Sequence, residues 1–143
     1  MALGKYVADK SAFEQQRHSE AAAGLLRALT SDGVLYMTEI VALELLYSAR
    51  NADDYEARRD DLGALPWLRL TEAVAARALD IQRQLAGIGQ HRRPIPDLLL
   101  AATALEHDAT VLHYDHDFDL IAESTGLSAR WIISPGTGHG ATS

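Results

Sequence analysis

Four short apolar runs constrain this chain more than any other feature. KYVA (5–8), GVLYM (33–37), ATVLH (109–113) and ARWII (129–133) read as strands, and WLRL (67–70) as a short strand or extended segment after Pro66. Helical pattern fills the intervals. SAFE (11–14) has the Ser-x-x-Glu form of a capping box. Residues 19–29 are rich in Ala and Leu. Thr38 caps a helix over 39–50, and a charged helix follows at 53–63. Thr71 caps a helix over 72–86 that Gly87 and Gly89 end. Pro96 suits the first turn of a helix running to 107, and a short helix covers 117–123. Strands alternating with helices predict an α/β domain with a mainly parallel sheet. One domain is expected over 1–134, with a disordered Gly/Ser/Thr-rich tail at 135–143.

Composition narrows the function classes. The 143 residues contain no cysteine, which excludes disulfides, zinc ribbons and thiol chemistry and fits a reducing cytoplasm. MALGKYVADKSAF lacks the apolar stretch of a signal peptide, and no segment approaches the roughly 20 apolar residues that span a bilayer. The net charge of −7 runs against the basic footprint of nucleic-acid binders. A cluster of metal-binding carboxylates makes such a sum negative even where a local basic rim meets phosphate.

Several acids sit where apolar residues are expected. Glu44 falls on the stripe formed by Ile40, Leu43 and Tyr47, which the spacing predicts to be buried. Asp97 opens a helix on the face shared by Leu100, Ala101 and Ala104. Asp9 and Asp115 each follow a short strand, the place where parallel α/β sheets bind ligands. Each has a plain alternative: Glu44 snorkelling to water, Asp97 meeting the helix dipole, Asp9 capping a helix. As a set they are expected to converge at one end of a sheet. Bare anions are not buried together, so hard divalent cations are the natural resolution.

The stretch VLHYDHDFDLIA (111–122) carries three aspartates at alternate positions. It is not a calcium loop, because position six is Leu120 and position twelve is Gly126. An Asp-x-Asp phosphatase pair belongs after a first strand, and a receiver domain has an acidic pair where Asp9 is followed by Lys10. His113 and His116 lack zinc-site spacing, and the remaining histidines, His139 included, read as surface.

The order VADKSA, TEIVALELLYSAR and HRRPIPDLLLAATALEHDATVLHYDHDFDLIA resembles PIN-domain ribonucleases, most closely VapC-type toxins of prokaryotic toxin–antitoxin systems. The resemblance runs from about residue 5 to 133. It implies a three-layer α/β/α sandwich, dependence on Mg²⁺ or Mn²⁺, RNA cleavage, a homodimer, and inhibition by a small VapB-like antitoxin that inserts a segment into the active site. Its acidic positions fall on Asp9, Glu44, Asp97 and Asp115, with Asp117 as an additional acid and Ser11 as the small polar residue after the first Asp. Asp119 lies outside the pattern and reads as a surface or helix-start residue.

On this reading Asp9, Asp97 and Asp115 are the principal metal ligands. Glu44 is a ligand or a base orienting water, and Asp117 holds a second, weaker ion. Ser11 hydrogen-bonds a ligand carboxylate or a phosphate. Arg92 and Arg93 are the expected RNA contacts, with Lys10 and Arg50 behind them. Two other readings stand beside it: a PIN-like module that grips RNA or a partner without cleaving, and a metal-dependent phosphatase.

Overall fold

Alternation along two central strands decides the layering. A computed structural model of the chain describes residues 4–137. Strands β1 (Lys5–Ala8) and β3 (Ala109–His113) lie parallel, with Val7 opposite Val111 and Ala8 opposite Leu112. Successive strand residues point to opposite faces. Val7 and Val111 therefore enter one apolar core, and Ala8 and Leu112 the other. β2 (Leu35–Tyr36) flanks β1 and β4 (Ala129–Trp131) flanks β3, giving a parallel sheet of order β2-β1-β3-β4.

Helices cover both faces, as a parallel sheet requires. On one side α1 (Lys10–Gln15) and α2 (Glu20–Ser31) contribute Ala12, Ala22, Leu26 and Leu29. On the other lie α3 (Glu39–Tyr47), α5 (Glu72–Ala86), α6 (Ile95–His107) and α7 (Asp117–Thr125), whose buried residues include Val41, Ile81, Leu100 and Phe118. The fold is the expected three-layer α/β/α sandwich. The charged α4 (Ala52–Gly63) buries no residue and packs on α3.

Local signals place most element starts. Ser19, Thr38, Asn51 and Thr71 each cap a helix through a side-chain oxygen that accepts a backbone N–H. Gly33 and Gly126 hold positive φ at the turns entering β2 and leaving α7, where a side chain would be strained.

Several expectations are corrected. The first helix is capped by Asp9 rather than Ser11. The second strand shrinks to Leu35–Tyr36, with Met37 forming an isolated bridge to Trp67, the one residue of 67–70 in such a bridge. The last strand stops at Trp131, and α3 stops at Tyr47, not residue 50. The stripe on α3 is also reversed. Val41, Ala42 and Leu46 are buried, whereas Leu43 and Tyr47 are 64% and 90% exposed. EIVALELLY is apolar around almost its whole circumference, so spacing alone could not choose the inward face. Of the expected tail, residues 135–137 are described, and Gly136 N–H donates to the Tyr114 hydroxyl (3.1 Å). The rest of the tail, His139 included, lies outside the described residues.

After β1 the chain crosses one face to β2; from β2 it crosses the other face to β3, on the far side of β1. The winding thus reverses between β1 and β3. Their carboxyl ends open a crevice there, the usual ligand site of such sheets.

Candidate active site

Asp9 leaves β1 at this crevice, and its N–H donates to Leu112 O (2.8 Å), extending the β1–β3 ladder by one bond. Its side chain caps α1: Oδ2 accepts from Ser11 N (3.1 Å) and Ser11 Oγ (2.6 Å). Ser11 Oγ in turn accepts from Tyr114 N (2.9 Å), just past β3. One hydroxyl thus ties the ends of both central strands to the Asp9 carboxylate.

Asp97 comes from α6. Pro94 sets the entry to this helix and supplies no side-chain cap, and Asp97 sits in the first turn. It faces inward with only 6% of its surface exposed, and Oδ2 is buried without a hydrogen-bond partner. Leu100, Ala101 and Ala104 on the same face are buried, as the spacing predicts. Asp115 follows β3, and its Oδ1 accepts from Asp117 N (2.9 Å), so it also shapes the turn into α7. Oxygen atoms of Asp97, Asp115 and Asp117 lie within 4.8 Å of one another. Asp9 and Glu44 stand outside that trio and are coupled to it through charge.

Burial pushes the Asp97 carboxyl up to about 8, with the charges of Asp9, Asp115, Asp117 and Glu44 adding to the rise. Asp9 is raised by burial, with Asp115 adding to it, against the opposing hydrogen bonds from Ser11. Glu44 is half-buried at the side of the crevice, and its Oε1 lacks a partner. Its carboxyl is raised by burial and by Asp9, against Lys10. Asp117 is raised by burial and Asp115, against Arg93. Every resolved shift among these acids points the same way, as expected where carboxylates crowd together.

The basic candidates separate. Arg92 is exposed, and no hydrogen bond or ion pair holds it among the described residues. Arg93 turns inward to an ion pair with Asp117 (2.6 Å). Lys10 lines a small cavity of about 350 Å³ with Leu43, Glu44 and Tyr47. Arg50, beyond α3, pairs with Asp54 (3.4 Å) on α4 and is not held at the crevice.

Two contributors were not legible beforehand. His113 is fully buried, and its ring lies 5.2 Å from that of Phe118 and 4.9 Å from that of Trp131. Its Nδ1 accepts from Asp115 N (3.2 Å), which fixes the backbone of that acid. Burial lowers the imidazole to about 4, so the ring is neutral at pH 7. Gln90 accepts from Arg93 Nη2 (3.3 Å) and supports the inward guanidinium. Asp119 is a helix-start residue as expected, and it accepts from Trp131 Nε1 (3.1 Å).

The family model of the PIN domain matches residues 10–124. The chain is 42% identical to Ribonuclease VapC51 of Mycobacterium tuberculosis over 137 residues, covering 96% of this chain and 98% of that one. It is 38% identical to Ribonuclease VapC21 of the same organism over 138 residues, covering 93% and 97%. Among solved structures, VapBC2 from Rickettsia felis bound to a promoter DNA fragment superposes with a TM-score of 0.72 at 17% identity, covering 88% of this chain and 97% of that one. DNA-bound VapBC from Salmonella typhimurium superposes with a TM-score of 0.71 at 18% identity, covering 92% and 100%. With fold, acid-lined crevice and near full-length similarity in agreement, the chain belongs to the PIN-domain family, on the branch of the VapC ribonucleases.

Proposed function

We propose that this chain is a metal-dependent endoribonuclease acting as the toxin of a VapBC-type pair. The observation that carries the reading is the unpartnered, buried Asp97 Oδ2 inside a trio of carboxylates at the sheet's switch point. A buried acceptor without a donor is costly, and crowded anions call for a cation. The donor set suits Mg²⁺ or Mn²⁺: all oxygen, few in number and open on one side. Asp97 and Asp115 are the central ligands, with Asp9 held ready by Ser11 and Asp117 at the rim.

A bound divalent ion supplies Lewis acidity toward the phosphodiester and a more acidic attacking water. The chain's own residues do the rest. Glu44, with one free buried oxygen, orients the attacking water and takes its proton. The Ser11 hydroxyl fixes the Asp9 carboxylate against β3. His113 holds the Asp115 backbone, so that carboxylate is presented in one orientation. Arg92, exposed and held by no hydrogen bond or ion pair among the described residues, is the proposed phosphate contact that draws RNA to a chain of net charge −7.

The relatives' names and the neighbours' complexes support a VapB-like antitoxin as partner. Leu79 and Ile95, exposed and lining one shallow cavity between α5 and α6, support a second copy of the chain covering that surface. Among the described residues no helix is long and apolar enough to cross a membrane, and the proposed site of action is the cytoplasm.

The test is cleavage of an end-labelled RNA by the purified chain with Mg²⁺ or Mn²⁺, with EDTA, and beside a small phosphate ester. Cleavage of RNA alone, lost in EDTA, is expected. Full cleavage in EDTA rules out the metal mechanism, hydrolysis of the ester alone points to a phosphatase, and binding without cleavage points to a silent module.

A further inference from the structure

The two neighbouring arginines do different work. Arg93 precedes Pro94, which biases it to an extended backbone, and the same short loop delivers Asp97 on α6. Its side chain is about three-quarters buried, as is that of Asp117. All three guanidinium nitrogens face the protein: Nη1 donates to Asp117 Oδ1 (2.6 Å), Nη2 donates to Gln90 Oε1 (3.3 Å), and Nε is buried. In the Arg27–Glu20 pair, by contrast, both side chains are mostly exposed.

We propose that Arg93 is a built-in counter-cation for the acid cluster, reserving Asp117 so that the site takes one divalent ion rather than two. The inference rests on the metal reading above and refines it. A second ion at Asp117 would have to displace the guanidinium or sit beside it. Both are opposed by geometry and by like charge, because the planar fork is already engaged at two nitrogens and cannot be neutralised. Asp97 and Asp115, which no arginine contacts among the described residues, remain for the single ion. Arg93 is thus a positioning residue for Asp117 and not an RNA contact, which leaves that role to Arg92.

Isothermal titration with Mn²⁺ counts the ions directly. The parent is expected to bind one. Arg93→Gln, which removes the charge and keeps a shorter polar amide, is expected to bind a second and to hold the first about tenfold more tightly. Removing a positive charge beside the site strengthens its hold on a cation, and solvent screening keeps the gain to about one order of magnitude. Arg93→Lys is expected to restore the single ion, and the double variant Arg93→Gln with Asp117→Asn to return to one. A purely structural Arg93 would not move ion stoichiometry in this pattern. As a second readout, the affinity of a fluorescent single-stranded oligoribonucleotide in EDTA should keep its parental salt slope in Arg93→Gln. The proposal is overturned by two ions on the parent, by unchanged number and affinity in Arg93→Gln, or by a salt slope reduced by about one, which marks a phosphate contact. Binding by the parent without a change in Arg93→Gln removes this proposal alone. No Mn²⁺ binding by any variant removes the metal reading with it.

Discussion

Asp97→Asn offers a direct test of electrostatic crowding, because the expected effect depends on pH in a defined way. Asp97 keeps its proton in the folded chain up to about pH 8, whereas the unfolded chain releases it near 3.8. Between those values the unfolded state binds fewer protons, so stability without metal falls as pH rises and levels off above about 8. A shift from 3.8 to about 8 corresponds to on the order of 6 kcal/mol at ~1.4 kcal/mol per pH unit. Water penetration and relaxation of the crowded acids absorb part of this, as the effective dielectric of real sites indicates, leaving ~2 kcal/mol as the working expectation. For a chain of this length that is about 6 °C in melting temperature.

Asn keeps the shape and removes the charge, and its amide gains carboxylate acceptors in Asp115 and Asp117. In EDTA at pH 8.5 the variant should therefore melt about 6 °C above the parent, the gap narrowing toward pH 5. Added Mn²⁺ should raise the parent's melting temperature, as binding to the folded state must, and leave the variant nearly unmoved. Thermal melts by circular dichroism from pH 5 to 9 measure all of this. A parent whose melting temperature is flat across that range would refute the crowding argument, as would a variant destabilised equally at every pH. His113 sets the opposite slope on the acid side. Lowered from 6.5 to about 4 by burial, it contributes stability above pH 6.5 that is lost as pH falls toward 4. The two trends offset one another between about pH 4 and 6.5, so the metal-free loss of stability is expected to set in above about pH 6.5.

Three further outcomes are expected. Ser11→Ala should cost about 1–3 kcal/mol, since it leaves Asp9 and the Tyr114 N–H without their shared partner; urea titration reads the loss, and an unchanged midpoint would show that Ser11 is not the clamp described. Arg92→Ala should weaken RNA affinity uniformly across sequences and lower the salt slope by about one, measured by fluorescence anisotropy in EDTA; a parental slope would make Arg92 an ordinary surface charge. Phe118→Ala should cost about 3–5 kcal/mol, because the ring is fully buried beneath α7 and contacts His113; a loss below ~1 kcal/mol in the same titration would mean that α7 is not anchored by it.

The sequence by itself determined the elements and the chemistry at their ends. The apolar runs at 5–8 and 109–113 became the central strands, and Thr71 capped the helix it was expected to cap. These signals are local: hydrophobic period, turn residues and caps act within a few positions. Asp9 and Asp115 were legible for the same reason, since a polar residue within two positions of a strand's end lies at the carboxyl edge of a parallel sheet whatever the strand order. Tertiary structure decided what depends on contacts between distant parts of the chain. The inward face of α3 was misjudged because its sequence is apolar nearly all round, and only packing against α1, α4 and α6 chooses between faces. Whether Arg92 or Arg93 turns inward was invisible in RR, because the answer lies in Asp117, 24 positions away. The Ser11 clamp spans 103 positions to Tyr114 and exists only because β1 and β3 are neighbours in the sheet. His113 reads as an unremarkable strand-end histidine; its neutrality comes from the Phe118 and Trp131 rings that fold over it and exclude the water its charge would need.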